Sequence, residues 1–309
     1  MRRALLFLLR IVIIAPLIAA IVGWIVAPLF LHPIRRGLPS DMVRQTDVTL
    51  SLIGARREDF DVRAPDGVQL RGWKVRAAKP IGDWVILFHG VGDNRLGVLE
   101  HARIPLMAGY GVVMMDARAQ GLSEGPFATY GWLERQDTQA IVDTLQSSEH
   151  PKHLLALGES MGAGIALQSA AVEPRIQGVV AEAAFASLRE ATYDYAGLRR
   201  SPLLGKTLFA PGTWTMIYHA ERLAGLPAAE VSPEKAVAAR AFSVLLICDA
   251  EDVALPCRHT ERIFKSARGP KQMWVVPQAY HTGALGAQPD EFRRRVLAFF
   301  EQVSGDHAK

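Results

Sequence analysis

The sequence contains only two cysteines in 309 residues, Cys248 and Cys257. Two cysteines cannot build the disulfide framework of a small secreted domain, and these two do not form the C-x-x-C pair of a metal site. Cys248 ends an apolar run and is predicted to be a small buried hydrophobic residue, whereas Cys257 falls in the following loop or helix start. Both cysteines are therefore predicted to be structural.

Runs of a single charge are missing as well. The formal net charge is +4 and the pI is about 9.2, but the body of the chain has no long Lys/Arg run or basic stripe. A nucleic-acid-binding domain usually concentrates such residues on one face. The sequence therefore predicts no nucleic-acid partner.

Motifs for metals and nucleotide cofactors are also absent. No H-E-x-x-H occurs, and His150 and His153 have no Glu or Cys cluster beside them to complete a metal site. Gly158, Gly162 and Gly164 do not have the G-x-G-x-x-G spacing of a dinucleotide-binding loop. We expect no metal, no cofactor and no obligate protein partner.

Apolar residues, in contrast, are abundant. Half of the residues are hydrophobic and 21% are charged, a balance typical of a packed globular enzyme. Alpha/beta enzymes of this length commonly build a single core. We therefore expect one catalytic domain, residues 34–309, behind an N-terminal segment of residues 1–33.

The N-terminal segment holds the longest apolar run. Ile11 to Leu31 has 21 residues without a charge, enough to cross a hydrocarbon core of about 30 Å. A cleaved signal peptide is the alternative, but the apolar region of a signal peptide usually has only about 7 to 15 residues. The sequence predicts a single-pass membrane anchor.

The orientation of this anchor is only weakly encoded. Three arginines precede the run and three follow it, so the positive-inside bias almost cancels. The terminal amine before the run and Asp41 after it favour a cytoplasmic N-terminus. The catalytic domain is therefore predicted to be extracytoplasmic.

After the juxtamembrane stretch, short apolar runs alternate with amphipathic segments. This alternation is typical of an α/β fold with a mainly parallel central sheet and helices on both faces. Several runs are continuously apolar, as in strands buried on both faces. The predicted strands are Gln69–Val75, Trp84–Phe88, Val112–Met115, His153–Leu157, Gly178–Ala181, Val244–Cys248 and Gln272–Val276. The predicted helices are Leu133–Gln146, Ala163–Val172, His259–Ala267 and Glu291–Val303.

One segment, residues 186–240, separates two predicted strands by far more than the usual connection of about 2 to 6 residues. Its apolar and aromatic residues include Tyr193, Trp214 and Tyr218. They predict a helical lid insertion over a pocket, and a mobile flap that faces the membrane is the alternative.

The pentapeptide Gly158-Glu159-Ser160-Met161-Gly162 lies directly between an apolar strand and a small-residue helix. A serine hydroxyl is a poor nucleophile unless it is held exposed beside a base and opposite an anion-stabilising pocket. A sharp strand-turn-helix achieves this, and glycines on both sides leave room for the tight turn. The pattern predicts a nucleophile elbow with Ser160 as the nucleophile.

The partners of such a serine follow it in the order acid, then histidine, each in a loop after a strand. Asp252 follows the strand VLLIC, and His281 follows the strand QMWVV. Asp252 as a helix cap and His281 as a solvated loop residue is the alternative interpretation. Asp249 and Glu251 are rival acids, and the position after the strand favours Asp252.

An oxyanion hole requires two backbone amides that point at the same oxygen. The first is predicted to be the amide of Met161, directly after the nucleophile. The second is assigned to Val91, in the glycine-flanked loop after the strand VILF. His89, in the same loop, is predicted to be buried and to stand outside the triad.

Five stretches, FHGVGDNR, MMDARAQGLSEG, LGESMG, LLICDAEDVALP and AYH, occur in that order. Together they resemble the landmarks of the serine-aminopeptidase-like alpha/beta hydrolases over roughly residues 69–302. The likeness is greatest to the membrane-anchored branch, which is similar to monoglyceride lipases and protein depalmitoylases. The resemblance implies an alpha/beta-hydrolase fold with Ser160, Asp252 and His281 as the triad and Val91 and Met161 at the oxyanion hole. Two departures are visible, because Ala119 and Asp249 stand where the family usually has glycine.

These features predict a serine hydrolase that cleaves a carboxylic ester or thioester, with an acyl or lipid substrate favoured by the anchor. A serine peptidase or amidase of the same fold is the second hypothesis, because the same triad can cleave amides. A membrane-tethered binding protein without turnover is the third hypothesis, and the presence of all three triad residues argues against it.

Overall fold

The computed structural model describes residues 2–197, 199 and 201–306, with the side chains among them from residue 13 to residue 305. The arginines at positions 2, 3 and 10, which enter the orientation prediction, lie outside the described side chains. The strands are β1 (Arg56–Arg63), β2 (Gln69–Arg76), β3 (Trp84–Phe88), β4 (Gly111–Met115), β5 (Leu154–Glu159), β6 (Ile176–Glu182), β7 (Ser243–Asp249) and β8 (Lys271–Val276). The helices are α1 (Arg2–Leu31), α2 (Ser40–Leu52), α3 (Leu99–Met107), α4 (Glu134–Glu149), α5 (Met161–Val172), α6 (Leu188–Ala196), α7 (Pro202–Lys206), α8 (Ala210–Ala224), α9 (Pro233–Ala239), α10 (Arg258–Ser266), α11 (Ala284–Ala287) and α12 (Pro289–Asp306).

The strands form one sheet in the order β1-β2-β4-β3-β5-β6-β7-β8. The pairs from β4 through β3 and β5 to β8 are parallel, whereas β1 and β2 join by antiparallel pairing. Every residue of β3, β4 and β5 is buried, as expected for strands covered on both faces. The predicted α/β fold with a mainly parallel sheet is confirmed.

The sheet separates two apolar cores, because successive strand residues point to opposite faces. In β3, Ile86 packs into one core while Val85 and Leu87 pack into the other. The first core holds Ile165 of α5, and the second holds Phe292 of α12. Helices therefore cover both faces of the sheet, as predicted.

Strand β1 and helix α2 are absent from the sequence-based prediction. The residues of β1 are RREDFDVR, and among them only Phe60 and Val62 are buried. A charged edge strand has little of the apolar signal that marks a central strand. In α2 only Thr46 and Leu50 are buried, so this helix shows a similarly weak amphipathic pattern.

Between β6 and β7 the chain forms the four helices α6 to α9. Ser187 caps α6 by accepting a hydrogen bond from the Glu190 amide, which satisfies one free donor at the start of the helix. Helix α8 is closed by the following residue, Gly225, whose φ of 62° is left-handed and is easily adopted only by glycine. The long connection therefore carries helical structure of its own.

Helix α1 contains the described segment Ile13–Leu31, which by length and a mean hydropathy of 2.4 is suited to cross a membrane. A signal sequence would have the same properties. The C-terminal part of α1 is docked on the α/β domain, since the Tyr130 hydroxyl donates a 2.7 Å hydrogen bond to the Phe30 carbonyl and the two rings stack. The apolar helix is therefore packed against the domain that it precedes.

Candidate active site

Ser160 lies at the sharp turn between β5 and α5. Its φ of 51° and ψ of −119° are outside the ordinary regions for a non-glycine residue, which costs about 1–3 kcal/mol. The turn is held by a 2.9 Å hydrogen bond from the Ser160 amide to the Glu182 carbonyl. This conformation is the strained elbow that presents a nucleophile above a sheet.

The two glycines beside the elbow are required by close backbone approach. A Cβ atom on Gly162 would lie 2.1 Å from the Phe88 carbonyl oxygen, and one on Gly158 would lie 2.4 Å from the Gly162 carbonyl oxygen. Real Cβ atoms do not approach other atoms so closely. The glycines therefore let α5 start directly against the ends of β3 and β5.

His281 bridges the other two predicted residues. Its Nε2 atom lies 2.8 Å from Ser160 Oγ, and its Nδ1 atom lies 2.6 Å from Asp252 Oδ2. The carboxylate can only accept, so Nδ1 carries the proton and Nε2 is free to accept from the serine hydroxyl. The structure brings the three residues together from the loops after β5, β7 and β8.

Asp252 is almost completely buried, with 5% of the residue exposed. Its Oδ1 atom accepts hydrogen bonds from the Ala254 amide at 2.7 Å and the Leu255 amide at 2.9 Å. Although burial raises it, the hydrogen bonds from His281 and from these two amides hold the pKa of Asp252 below its ordinary value. The carboxylate is therefore kept charged beneath the imidazole.

The two rival acids occupy different positions. Asp249 is buried, and its Oδ2 atom accepts the Thr282 amide at 2.8 Å, so it holds the residue after His281 rather than the imidazole itself. Glu251 is exposed and lines an open polar cavity. Only Asp252, among the three acids, contacts His281.

A buried group of ionisable side chains, which the sequence motifs do not mark, lies beneath the His281 loop. His101 of α3 lies 3.7 Å from Glu182 and 4.0 Å from Glu159. Glu182 in turn accepts the Ala284 amide at 2.9 Å. The only available signal was that Glu159, Glu182 and Asp249 each end a parallel strand at the same edge of the sheet.

Burial raises the pKa of Glu159 to about 7, and nearby Glu182 adds to this shift. Burial and the proximity of Glu182 also raise the pKa of Asp249 to about 8. Burial lowers the pKa of His101, but Glu182 and Glu159 outweigh that effect and raise it above its ordinary value. Near neutral pH these neighbouring groups therefore compete for protons, and the titration of each depends on the charge of the others.

The predicted oxyanion donors lie beside Ser160. Met161 is the first residue of α5, so its amide has no acceptor within the helix. Val91 lines a cavity together with Ser160 and Met161. The neighbouring Gly92 amide donates to Gln120 Oε1 at 2.5 Å, so it is not free to bind an oxyanion.

Two further residues of the motifs have structural explanations. His89 is buried, with Nδ1 2.8 Å from the Gly90 carbonyl and Nε2 accepting the Ala117 amide at 3.0 Å, so it stands outside the triad. Ala119 has a φ of 60°. Left-handed backbone favours glycine, which explains why glycine is usual in the family at this position.

Cys248 and Cys257 are joined by a disulfide with a Cα–Cα distance of 5.4 Å. The sequence predicted a structural role for each cysteine and gave no signal for a bond between them. Cys248 lies in β7 and Cys257 directly precedes α10. The disulfide therefore closes the loop that carries Asp252.

Two cavities of different character meet at Ser160. One has a volume of about 290 Å³ and is mainly apolar, with Phe185, Leu188 and Leu255 in its wall. The other has a volume of about 380 Å³ and is more polar, with the charged residues Arg36 and Asp93 in its wall. Ser160 therefore faces a mainly apolar space on one side and a more polar space on the other.

Comparisons with known proteins show what the chain is similar to. Residues 80–214 match the family model for serine aminopeptidase, S33. The chain is 26% identical over 266 residues to the uncharacterized protein YqkD of Bacillus subtilis (strain 168), with 84% of each chain covered. It is 25% identical over 261 residues to the uncharacterized protein YfhR of Escherichia coli (strain K12), with 78% of this chain and 80% of that protein covered.

Solved structures provide the second comparison. The Pyrococcus furiosus esterase Pf2001 superposes with a TM-score of 0.70 at 20% identity, covering 88% of this chain and 98% of that one. Acetyl xylan esterase 1 from Thermoanaerobacterium sp. JW/SL YS485 superposes with a TM-score of 0.60 at 16% identity, covering 88% and 96%. At these identities the structural likeness shows the fold, and the family match supports a hydrolase.

Proposed function

We propose that the chain is a serine hydrolase that acts through an acyl-enzyme on Ser160. Its alpha/beta-hydrolase fold and the match of residues 80–214 to the serine aminopeptidase family model support this proposal. The observation that carries the proposal is the continuous path of hydrogen bonds from the Ser160 hydroxyl through His281 to Asp252. Such a path can remove the hydroxyl proton as the oxygen attacks.

The proposed reaction has two halves. Ser160 Oγ bonds to the substrate carbonyl carbon while its proton passes to His281 Nε2, and the amides of Met161 and Val91 stabilise the resulting oxyanion. The imidazolium, stabilised by Asp252, then protonates the departing alcohol or thiol as the carbon–heteroatom bond breaks. Water next attacks the acyl-enzyme, gives its proton to the same nitrogen, and releases the carboxylic acid and the serine hydroxyl.

The proposed substrate is a carboxylic ester or thioester with an acyl chain. The apolar cavity beside Ser160 suits an acyl group and the polar cavity suits a leaving group. An amide substrate is the second candidate, because the matching family model is that of a serine aminopeptidase. Binding without turnover is supported less, since binding alone does not require a connected triad.

We also propose that α1 anchors the enzyme as a single-pass protein with its catalytic domain outside the cytoplasm. The apolar segment Ile13–Leu31 supports the anchor. The disulfide between Cys248 and Cys257 supports the location, because disulfides persist in oxidising compartments and are rare in the cytosol.

A fluorophosphonate probe tests the enzymatic proposal. Wild type should be labelled, Ser160→Ala should not, and Ser51→Ala, an exposed serine of α2, serves as the matched control that should be labelled like wild type. A folded wild type that resists the probe would contradict a serine hydrolase. A membrane-impermeant version of the probe, applied to whole cells, tests the location of the domain.

A substrate panel tests the class of bond. We expect p-nitrophenyl esters of rising chain length to be hydrolysed faster than aminoacyl p-nitroanilides. Faster cleavage of the anilides would favour the peptidase alternative. Ligand binding in the absence of any turnover would favour the binding protein.

A further inference from the structure

Helix α1 forms part of the wall of the cavity at the nucleophile. The apolar cavity that contains Ser160 is lined on one side by Val26 and Phe30, both from α1. A simple tether would need no contact with the site. The apolar helix therefore contributes side chains to the space where the substrate of the proposed hydrolase would bind.

A second apolar cavity continues from the first. It has a volume of about 480 Å³ and lies between α1 on one side and α6 and α8 on the other. The two cavities share four lining residues, which are Val26, Thr192, Tyr195 and Met216. They therefore adjoin, and together they extend from Ser160 along α1.

The combined cavity is long enough for a lipid chain. Its walls include α1 residues from Ala15 to Phe30, a distance of about 22 Å at a helical rise of about 1.5 Å per residue. An acyl chain in one leaflet extends through about 15 Å, half of a hydrocarbon core of about 30 Å. The cavity can therefore hold the greater part of such a chain.

An adjacent face of α1 points away from the protein. Leu17, Ile21, Ile25 and Leu29 are all exposed and recur every four residues, so they form one apolar stripe on the helix. The cavity-lining residues Ala15, Ala19, Val22 and Val26 lie on the adjoining face, where Val22 is itself 51% exposed at the open side of the cavity. One helix thus carries an outward apolar stripe beside the face that lines the substrate space.

Helix α8 lies directly beside this helix. The Thr215 hydroxyl donates to the Ala20 carbonyl at 2.7 Å, and the rings of Trp24 and His219 stack with their centroids 3.9 Å apart. Trp214, directly before Thr215 on α8, is exposed, and tryptophan is enriched at membrane interfaces. The helices that enclose the second cavity are therefore at the bilayer wherever α1 crosses it.

We propose that the cavity between α1 and α8 binds the long acyl chain of a bilayer-resident ester and admits it sideways from the membrane to Ser160. This inference rests on the proposed serine-hydrolase function. Methylene groups gain about 0.8 kcal/mol each on burial, and this wall is almost entirely apolar. The carbonyl carbon then meets Ser160, and the polar leaving group occupies the polar cavity.

The test compares two neighbouring residues of α1 in the full chain, reconstituted in phosphatidylcholine vesicles. Val22→Trp fills the cavity, whereas Ile21→Trp changes the exposed stripe, which is outside the cavity wall. The measured quantity is the ratio of kcat/KM for p-nitrophenyl palmitate to that for p-nitrophenyl acetate. At about 0.8 kcal/mol per methylene, each excluded methylene costs roughly a factor of four.

We expect Val22→Trp to lower this ratio more than tenfold and Ile21→Trp to change it less than twofold. Ala196→Trp, which fills the same cavity from α6, should also lower the ratio. An unchanged ratio in both cavity variants, or an equal fall in Ile21→Trp, would overturn the inference. A wild type that hydrolyses neither ester and resists the fluorophosphonate probe would instead contradict the proposed function.

Discussion

Replacing Asp252 by asparagine should leave the site geometry intact and still nearly abolish activity. The direction of the new amide is decided by the backbone, because Asp252 Oδ1 accepts two amides, from Ala254 and Leu255. The asparagine oxygen must occupy that position. Its NH₂ group therefore faces His281 Nδ1, which must become the acceptor.

The free-energy preference for this orientation of the asparagine amide follows from these contacts. A reversed amide would lose two hydrogen bonds at about 1 kcal/mol each and leave buried donors unsatisfied, so it is disfavoured by roughly 3 kcal/mol, or about a hundredfold. In the favoured orientation the imidazole proton sits on Nε2, which cannot accept the Ser160 proton. Loss of the correct tautomer lowers kcat by about 10⁴.

The assay is hydrolysis of a p-nitrophenyl ester at pH 7.5 by purified full-length protein, with thermal melting to show that the variant is folded. Glu261→Gln is the control, because this acid of α10 is exposed and lies outside the walls of both cavities at Ser160. It should retain wild-type kcat within a factor of two or three. A kcat of Asp252→Asn above a tenth of wild type, or an equal loss in Glu261→Gln, would refute the assignment of the acid.

Three more predictions concern the surroundings of the triad. Gly162→Ala should destabilise the protein by about 3 kcal/mol or more, because its Cβ would lie 2.1 Å from the Phe88 carbonyl oxygen. The control is Gly286→Ala, whose Cβ would meet nothing within 4 Å, and its melting temperature should equal that of the wild type. The folded-state pKa of Asp249 is raised from 3.8 to about 8, so its contribution to stability is complete below pH 3.8 and is lost as the pH rises through about 8. In Asp249→Asn the melting temperature should therefore depend less on pH within that range. An unchanged pH dependence would contradict the raised pKa of Asp249. Removing both Cys248 and Cys257 should lower the free energy of unfolding by about 2.5 kcal/mol and Tm by roughly 5 °C. The value of kcat should also fall, because the loop of Asp252 is no longer closed. A reductant should reproduce both effects in the wild type and change nothing in the double variant.

Much of the fold was readable from the sequence because central parallel strands carry a strong local signal. Residues Trp84 to Phe88 are continuously apolar and form β3 with the same bounds. Strand β1 was missed because its residues are mainly charged and only Phe60 and Val62 face the core. An edge strand owes its pairing to a neighbour rather than to its own composition.

The motif and the order of the loops were sufficient to select Ser160, Asp252 and His281, because a catalytic elbow requires small residues at fixed positions beside the nucleophile. The sequence did not distinguish Asp252 from its rivals on physical grounds. That distinction depends on which carboxylate reaches His281 Nδ1, a contact between residues 29 positions apart.

The local pattern of residues predicted the fold class, the apolar helix and Ser160 as the candidate nucleophile, since each depends on neighbours along the chain. Only the tertiary structure decided that the two cysteines bond, that Glu159, Glu182 and His101 share one buried space, and that α1 lines the cavity of Ser160. These contacts join distant segments, and their distances and burial are set by how helices pack on the sheet.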